Sequence, residues 1–204
     1  MLEPDLRCLL IGGTSNIGKS TLARAFADTL GWPLVSTDSL GRHPGRPWPA
    51  GGRGVPDHVV EHYLGKEPDT LVEENLAHYR AMWPLIERLV RAHAEARMGR
   101  LVLEGSGIWP DEVAALAAPH VAAIWLTGSD ELIAERIRAE SGHADADSKG
   151  RALIDRFVAR SIGYNARMVA RLTALGLPFL TIEGRPDVIE LMEQAASNAV
   201  RLPS

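Results

Sequence analysis

Lysine is scarce in this chain: three residues of 204, Lys19, Lys66 and Lys149, against nineteen arginines. That imbalance, together with abundant alanine, reads as codon usage in a GC-rich genome, so arginine counts by themselves carry little information. Cysteine is nearly absent. With Cys8 alone no intramolecular disulfide can form, which fits a reducing cytoplasm. No window approaches the roughly 20 apolar residues that a membrane helix needs. The opening MLEPDLR is acidic and interrupted by proline, and the apolar run behind it is too short for a secretory core. The formal net charge of −4 exerts no whole-molecule pull on nucleic acid or an anionic membrane. These absences define an expectation: a cytoplasmic protein, monomer or homodimer, with neither nucleic acid nor membrane as partner.

Hydrophobic residues make up 46% of the chain and charged residues 24%, an ordinary globular balance that supports one domain over 1–204. Short apolar runs at 7–11, 34–37, 101–104, 121–127 and 179–182 read as strands covered on both faces. Amphipathic segments separate them, at 19–30, 70–97, 111–118, 129–140, 150–174 and 187–200. Thr70-x-x-Glu73 reads as a capping box, and Pro84 is expected to kink or divide the helix that follows. Alternating strands and helices of this kind predict an α/β fold, one parallel sheet with helices on both faces. Two stretches break the pattern. Residues 41–56, GRHPGRPWPAGGRGVP, are too rich in Gly, Pro and Arg for regular structure, and 141–149, SGHADADSK, are small and polar. Loops of this sort in a compact domain carry function or are disordered, and both fall where an α/β sheet presents its ligand side.

The segment Gly13-Thr14-Ser15-Asn16-Ile17-Gly18-Lys19-Ser20 has the spacing G-x-x-x-x-G-K-[ST] between a strand and a helix, with Thr21 following. Its glycines let successive backbone N–H groups point into one concavity, and the helix beginning near Gly18 adds its positive end. Lys19 is placed to reach the β- and γ-phosphates of a nucleotide, and the Ser20 hydroxyl to join a Mg²⁺ shell. One of the three lysines therefore stands where a polyphosphate seat requires one.

With Ser36-Thr37-Asp38 at the end of the second strand and Leu101-Val102-Leu103-Glu104-Gly105 at the third, the chain resembles the P-loop small-molecule kinases. The wording is similar to 2-phosphoglycerate kinase-like proteins, with chloramphenicol phosphotransferase, shikimate and gluconate kinases as relatives. The resemblance covers residues 7–40 and 100–140; the acceptor region, about 41–98, matches nothing. It implies a P-loop NTPase three-layer sandwich of the nucleoside-monophosphate-kinase type. Its five-stranded parallel sheet would run in the order 2-3-1-4-5, with a lid over the phosphates at about 141–150. ATP or GTP would be the phosphoryl donor and Mg²⁺ the cofactor.

Asp38, 19 residues beyond Lys19 at the ligand edge of the sheet, suits a group that orients an attacking hydroxyl and takes its proton. The resemblance implies the same role. Glu104 ends the third strand, where relatives place an acid that holds Mg²⁺ through water; as Glu rather than Asp it is open to metal or acceptor contact. Cations on the migrating phosphoryl group are sought among Arg136 and Arg138 before the lid and Arg156 and Arg160 after it. Arg156 and Arg160, four apart on one face, are the first choice, with Lys149 as an alternative. Relatives stack one such arginine on the base, and Arg136 is assigned to the nucleotide. For the acceptor, the loop offers Arg42, His43, Arg46, Trp48 and Arg53, with Trp83 and Trp109 as further ring-binding candidates. Arginines would suit an anionic acceptor and tryptophans a ring-bearing one. A metabolite and an antibiotic, including a nucleoside antibiotic, both remain in view.

Competing signals are weaker. His58-Val-Val-Glu61-His62 reads H-x-x-E-H on a short helix capped by Asp57, yet no third zinc ligand is specified. Asp38-Ser-Leu-Gly41 matches D-x-x-G of regulatory GTPases but follows the wrong strand, with no N-K-x-D downstream. Asp145 and Asp147 lack the glycine and distal glutamate of a calcium loop and read as lid surface. The rival to a small-molecule kinase is thus a nucleotide-binding switch without acceptor chemistry.

Overall fold

The computed structural model describes residues 2–41, 45–49 and 54–203. At its centre lies β1 (Cys8–Gly13), buried along its whole length. β3 (Leu101–Glu104) and β4 (Val121–Gly128) flank it in parallel register. β2 (Leu34–Ser36) pairs with β3, and β5 (Phe179–Ile182) with β4, giving the order 2-3-1-4-5. The continuous apolar runs follow from this placement. Leu9 and Ile11 of β1, Val102 of β3 and Ile124 and Leu126 of β4 enter one core; Cys8 and Leu10, Leu101 and Leu103, Val121 and Trp125 enter the other. Side chains that alternate between two dry faces account for the apolar runs, and the buried polar residues Glu104 and Thr127 fall at the carboxyl ends of β3 and β4.

The first core is covered by α1 (Lys19–Leu30), α2 (Asp57–Leu64), α5 (Asp130–Ser141) and α7 (Val188–Asn198). The second is covered by α3 (Pro68–Ala94) and α4 (Pro110–Ala114). α6 (Ser148–Leu175) serves both: Leu153, Ile154, Phe157 and Val158 belong to the first core, Tyr164, Met168 and Leu172 to the second. At 28 residues it is about 42 Å long. Its midpoint passes the loop after β1, where Thr14 Oγ1 donates to Ser161 O at 2.9 Å.

Several expectations are corrected. A sixth strand, β6 (Val200–Arg201), runs antiparallel to β4 at Ala122 and Ala123, a stretch that β5 leaves uncovered. Arg201 fixes it by donating to both oxygens of Asp5, at 2.7 and 2.9 Å. α3 begins at Pro68 with Glu67 as N-cap, so Thr70 lies inside the helix and caps nothing. Pro starts a helix at no hydrogen-bond cost, because the first N–H groups have no partner. Pro84 does not divide α3. It faces solvent while Met82 and Ile86 beside it are buried, so water can serve the carbonyl that loses its partner. α4 is only five residues long rather than reaching 118. Pro56, not Asp57, is the N-cap of α2. Asp147, read as lid surface, caps α6 by accepting from Gly150 N at 2.7 Å.

Candidate active site

The loop between β1 and α1 closes on itself because two of its residues are glycine. Gly13 has φ +142°, and a Cβ there would lie 2.5 Å from Leu126 O and 3.2 Å from the Lys19 side chain. Gly18, at φ +110°, turns the chain into α1 in a conformation that L side chains rarely adopt. Lys19 folds back over the loop and donates to Thr14 O at 2.6 Å. Its ammonium is buried, and desolvation pulls its pKa below the usual lysine range; the Glu104 and Asp38 carboxylates oppose that shift. Ser106 Oγ holds the loop from beneath by donating to Gly13 O at 2.9 Å. Tyr164 in turn donates to Ser106 O.

β3 brings the acid. Glu104 is in register with Ile11 of β1 and Ser36 of β2, so it ends between the glycine loop and the segment bearing Asp38. It is only 5% exposed. After β2 the chain makes one 3₁₀ turn, Thr37–Ser39, in which the Asp38 N–H donates to the Ser36 hydroxyl. Asp38 therefore stands on a turn rather than on the strand, exposed to the cavity. Thr37 is buried against Gly105, where a Cβ would fall 1.8 Å from Thr37 Oγ1. That hydroxyl has no hydrogen-bond partner among the described residues.

A cavity of about 570 Å³ joins these parts. It is lined by Ser15, Asp38, Ser106 and Arg160, by His58 and His62 of α2, and by Glu74, Asn75, His78 and Tyr79 of α3. Arg160 lies 4.2 Å over the Phe157 ring, donates to Tyr63 Oη at 3.2 Å, and reaches Ser15 Oγ at 3.5 Å. Its Nε is buried without a partner among the described residues. Arg46 also borders the cavity and forms an ion pair with Glu140, which accepts from Asn16 of the glycine loop as well. Arg136 lies behind the loop, donating to Ile17 O at 2.8 Å and Gly184 O at 2.6 Å. It borders a second hollow of about 450 Å³ with Gly18, Thr21, Arg185 and Pro186.

The residues fit a polyphosphate. The glycine cradle is one that a Cβ would fill at Gly13, and a desolvated ammonium with three donors gives one hydrogen bond, to Thr14. Exposed Ser20 and buried Glu104 supply hard oxygen donors of the kind Mg²⁺ takes. Among the described residues no group of three His, Cys, Asp or Glu is arranged to hold a metal alone. Mg²⁺ keeps waters and phosphate oxygens as most of its ligands, so two protein donors suffice.

Of the residues anticipated, Ser15, Asp38 and Arg160 line the larger cavity, and Asn16, Ile17, Gly18, Thr21 and Arg136 line the hollow behind the loop; Lys19 and Glu104 are buried, with the Glu104 carboxylate acting on the Lys19 charge. Others lie elsewhere. Arg156 is engaged by Glu67 at 3.0 Å, and Arg138 by Asp155 at 2.8 Å. Trp48 is buried with its ring 4.9 Å from Phe157, and it faces a separate hollow shared with Lys149. Trp83 borders a groove with Glu87 and Asp111, and Trp109 packs on Tyr164. Arg42, His43 and Arg53 lie outside the described residues. What sequence reasoning did not find is the α3 wall, Glu74, Asn75, His78 and Tyr79. The pairs Glu74/His78 and Asn75/Tyr79 are four apart, a signal readable only once α3 is known to face α2.

No protein-family model and no curated protein matches the sequence. Solved structures do. The chain is similar to an unliganded sugar kinase from Janibacter sp. HTCC2649, with TM-score 0.52 and 17% identity over 95% of this chain and 94% of that one. It is also similar to deoxyadenosine kinase from M. mycoides with bound dATP, with TM-score 0.50 and 15% identity over 93% and 97%. The fold is therefore that of the P-loop small-molecule kinases, with the expected strand order. Among the described residues no helix is long and apolar enough to cross a membrane.

Proposed function

We propose that this chain is a nucleotide-dependent phosphotransferase that moves a γ-phosphoryl group to a hydroxyl of a small molecule. One observation carries the reading: the loop that seats a polyphosphate and the carboxylate of Asp38 open into the same cavity, with room left beyond them. The acceptor oxygen attacks the γ-phosphorus, the bond to the β–γ bridging oxygen breaks, and the nucleoside diphosphate leaves. The hydroxyl proton passes to Asp38. Lys19 and Arg160 face the charge that builds on the transferring group, and Arg46 stands at the same cavity. Ser20 and Glu104 would hold Mg²⁺, which would supply charge neutralisation on the phosphates.

The hollow bounded by Gly18, Arg136, Arg185 and Pro186 lies behind the cradle and is the seat we assign to the nucleotide base. Its lining does not separate ATP from GTP. The acceptor is a metabolite or an antibiotic, and inactivation of an antibiotic is one form the activity can take. The sugar and deoxyadenosine kinases of like fold support phosphoryl transfer to a small molecule. The test is transfer of labelled γ-phosphate to a panel of hydroxylated compounds. Asp38→Ala is expected to lower transfer about 10²-fold or more while nucleotide binding persists. Unchanged transfer in that variant removes Asp38 from the chemistry.

A further inference from the structure

Arg46 is held from two sides. Its guanidinium carbon lies 5.5 Å from the centre of the Trp48 ring, and Trp48 packs edge-on against Phe157 at 4.9 Å. Phe157 in turn carries Arg160, 4.2 Å over its own ring. One buried aromatic pair thus supports two cations, and both border the cavity that Asp38 lines. An aromatic face steadies a guanidinium without consuming its N–H donors. On its other side Arg46 pairs with Glu140, near the end of α5. The second oxygen of that carboxylate accepts from the Asn16 side chain of the glycine loop.

Glu140 borders the hollow behind the glycine loop and Arg46 borders the larger cavity, so their ion pair bridges the seam between the two. A nucleotide with its base in the hollow and its γ-phosphoryl group at Asp38 runs across that seam. There its phosphates meet Glu140 as a like charge and Arg46 as an opposite one. The two side chains are 53% and 46% exposed, and a pair so open to water parts readily. Phosphate oxygens carry more charge than one carboxylate and suit the forked guanidinium equally well, so they win Arg46 from Glu140. The charge of Arg46 is already felt at the seat. Desolvation does most to lower the Lys19 pKa, and Arg46 pushes it the same way, a repulsion that an anion between the two cations relieves.

We propose that Arg46 is a further phosphate-binding residue, poised on Trp48 and kept from the phosphates by Glu140 until a nucleotide displaces that carboxylate. The proposal rests on the phosphotransferase reading above and adds to it a side chain of the protein that competes with the nucleotide.

The test titrates the full chain with inorganic tripolyphosphate by calorimetry, and with MgATP and MgGTP in parallel. Glu140→Gln keeps an oxygen for Asn16 and removes the charge. It is expected to tighten tripolyphosphate binding about tenfold. Arg46→Ala is expected to weaken binding about tenfold or more, the loss of charge-assisted hydrogen bonds, with Arg46→Lys in between. Trp48 reports the movement: its emission should change on tripolyphosphate addition in the parent chain and stay constant in Arg46→Ala. Trp48→Phe identifies that signal among the five tryptophans. Glu140→Gln with unchanged or weaker binding, Arg46→Ala with unchanged binding, or a Trp48 response that persists without Arg46 each overturn the proposal. Binding of tripolyphosphate by the parent chain then leaves the phosphotransferase reading standing. A parent chain that binds neither tripolyphosphate nor a nucleotide overturns both.

Discussion

Arg156 and Arg160 lie one helical turn apart on α6, yet the fold gives them different work, and a paired substitution separates the two. Arg156→Ala removes an ion pair with Glu67, whose side chain is 79% exposed. Exposed pairs of this kind add little to stability, and no part of Arg156 lines the cavity. Its loss is expected to leave kcat within about twofold and the midpoint of thermal unfolding nearly unmoved. Arg160→Ala removes a guanidinium stacked on Phe157 and bonded to Tyr63 and Ser15. In the folded protein that costs about 1–2 kcal/mol of cation–π and hydrogen-bond energy. The larger loss comes in the transition state. Removing one preorganised donor from a developing oxyanion costs about 10² to 10³ in kcat, or roughly 2.7–4 kcal/mol. Steady-state transfer assays on both variants, with calorimetry to confirm folding, measure the split. Equal losses of kcat in the two variants, or an Arg160→Ala enzyme with normal kcat, would refute the placement of α6 beside the loop.

Other consequences are sharper for structure than for rate. Gly105→Ala puts a Cβ 1.8 Å from Thr37 Oγ1 at a φ of +146°, so backbone strain and overpacking add. Destabilisation of about 2–5 kcal/mol is expected in denaturant titration, and a normal midpoint would contradict the packing of Thr37. Cys8 is fully buried in β1, and burial pushes its thiol up to about 12. At pH 8 the thiolate is therefore almost unpopulated, and a thiol reagent should label the chain only as fast as it unfolds; rapid labelling would place Cys8 outside the sheet. Arg201→Ala frees Asp5 from the guanidinium that is the main cause holding its carboxyl below the usual range. Because a depressed carboxylate stabilises above its unfolded pKa and loses that contribution on acidification, the wild-type chain should lose more stability than the variant as pH falls from about 5 through the ordinary aspartate range.

The geometry of the glycine loop was legible because it is local. Gly13, Gly18, Lys19 and Ser20 lie within one turn of chain, and the strand before and helix after fix their geometry. Asp38 and Glu104 were legible at one remove, since a parallel sheet delivers the ends of adjacent strands to one edge. Arg160 could not be told from Arg156 by spacing, because both fall on a face wide enough to hold a cavity contact and a solvent contact. The α3 side of the cavity was illegible for a different reason. Glu74, Asn75, His78 and Tyr79 look like the polar side of a surface helix until α2 packs opposite. Tryptophan misled: Trp48 and Trp109 satisfy the core, as large rings usually do. β6 was beyond reach, two residues whose pairing depends on an open stretch of the β4 edge.

The burial of Lys19 is the feature that stability alone does not explain. An ammonium taken from water loses several kcal/mol of hydration, and Glu104 returns only part of it, since buried opposite charges rarely outweigh their own desolvation. Among the described residues Lys19 gives one hydrogen bond, to Thr14, which leaves two donors for something else. A chain selected only to fold would place an apolar residue there, between the two cores that already meet at β1. Lys19→Met, similar in volume and uncharged, should accordingly leave the unfolding free energy unchanged or raise it, while nucleotide affinity falls steeply. Loss of stability in that variant would mean that the lysine belongs to the core rather than to a polyphosphate. If binding survived, the cradle at Gly13 would have to hold its anion through backbone N–H groups alone, and the electrostatic ordering of the site around Lys19, Glu104 and Asp38 would have to be abandoned.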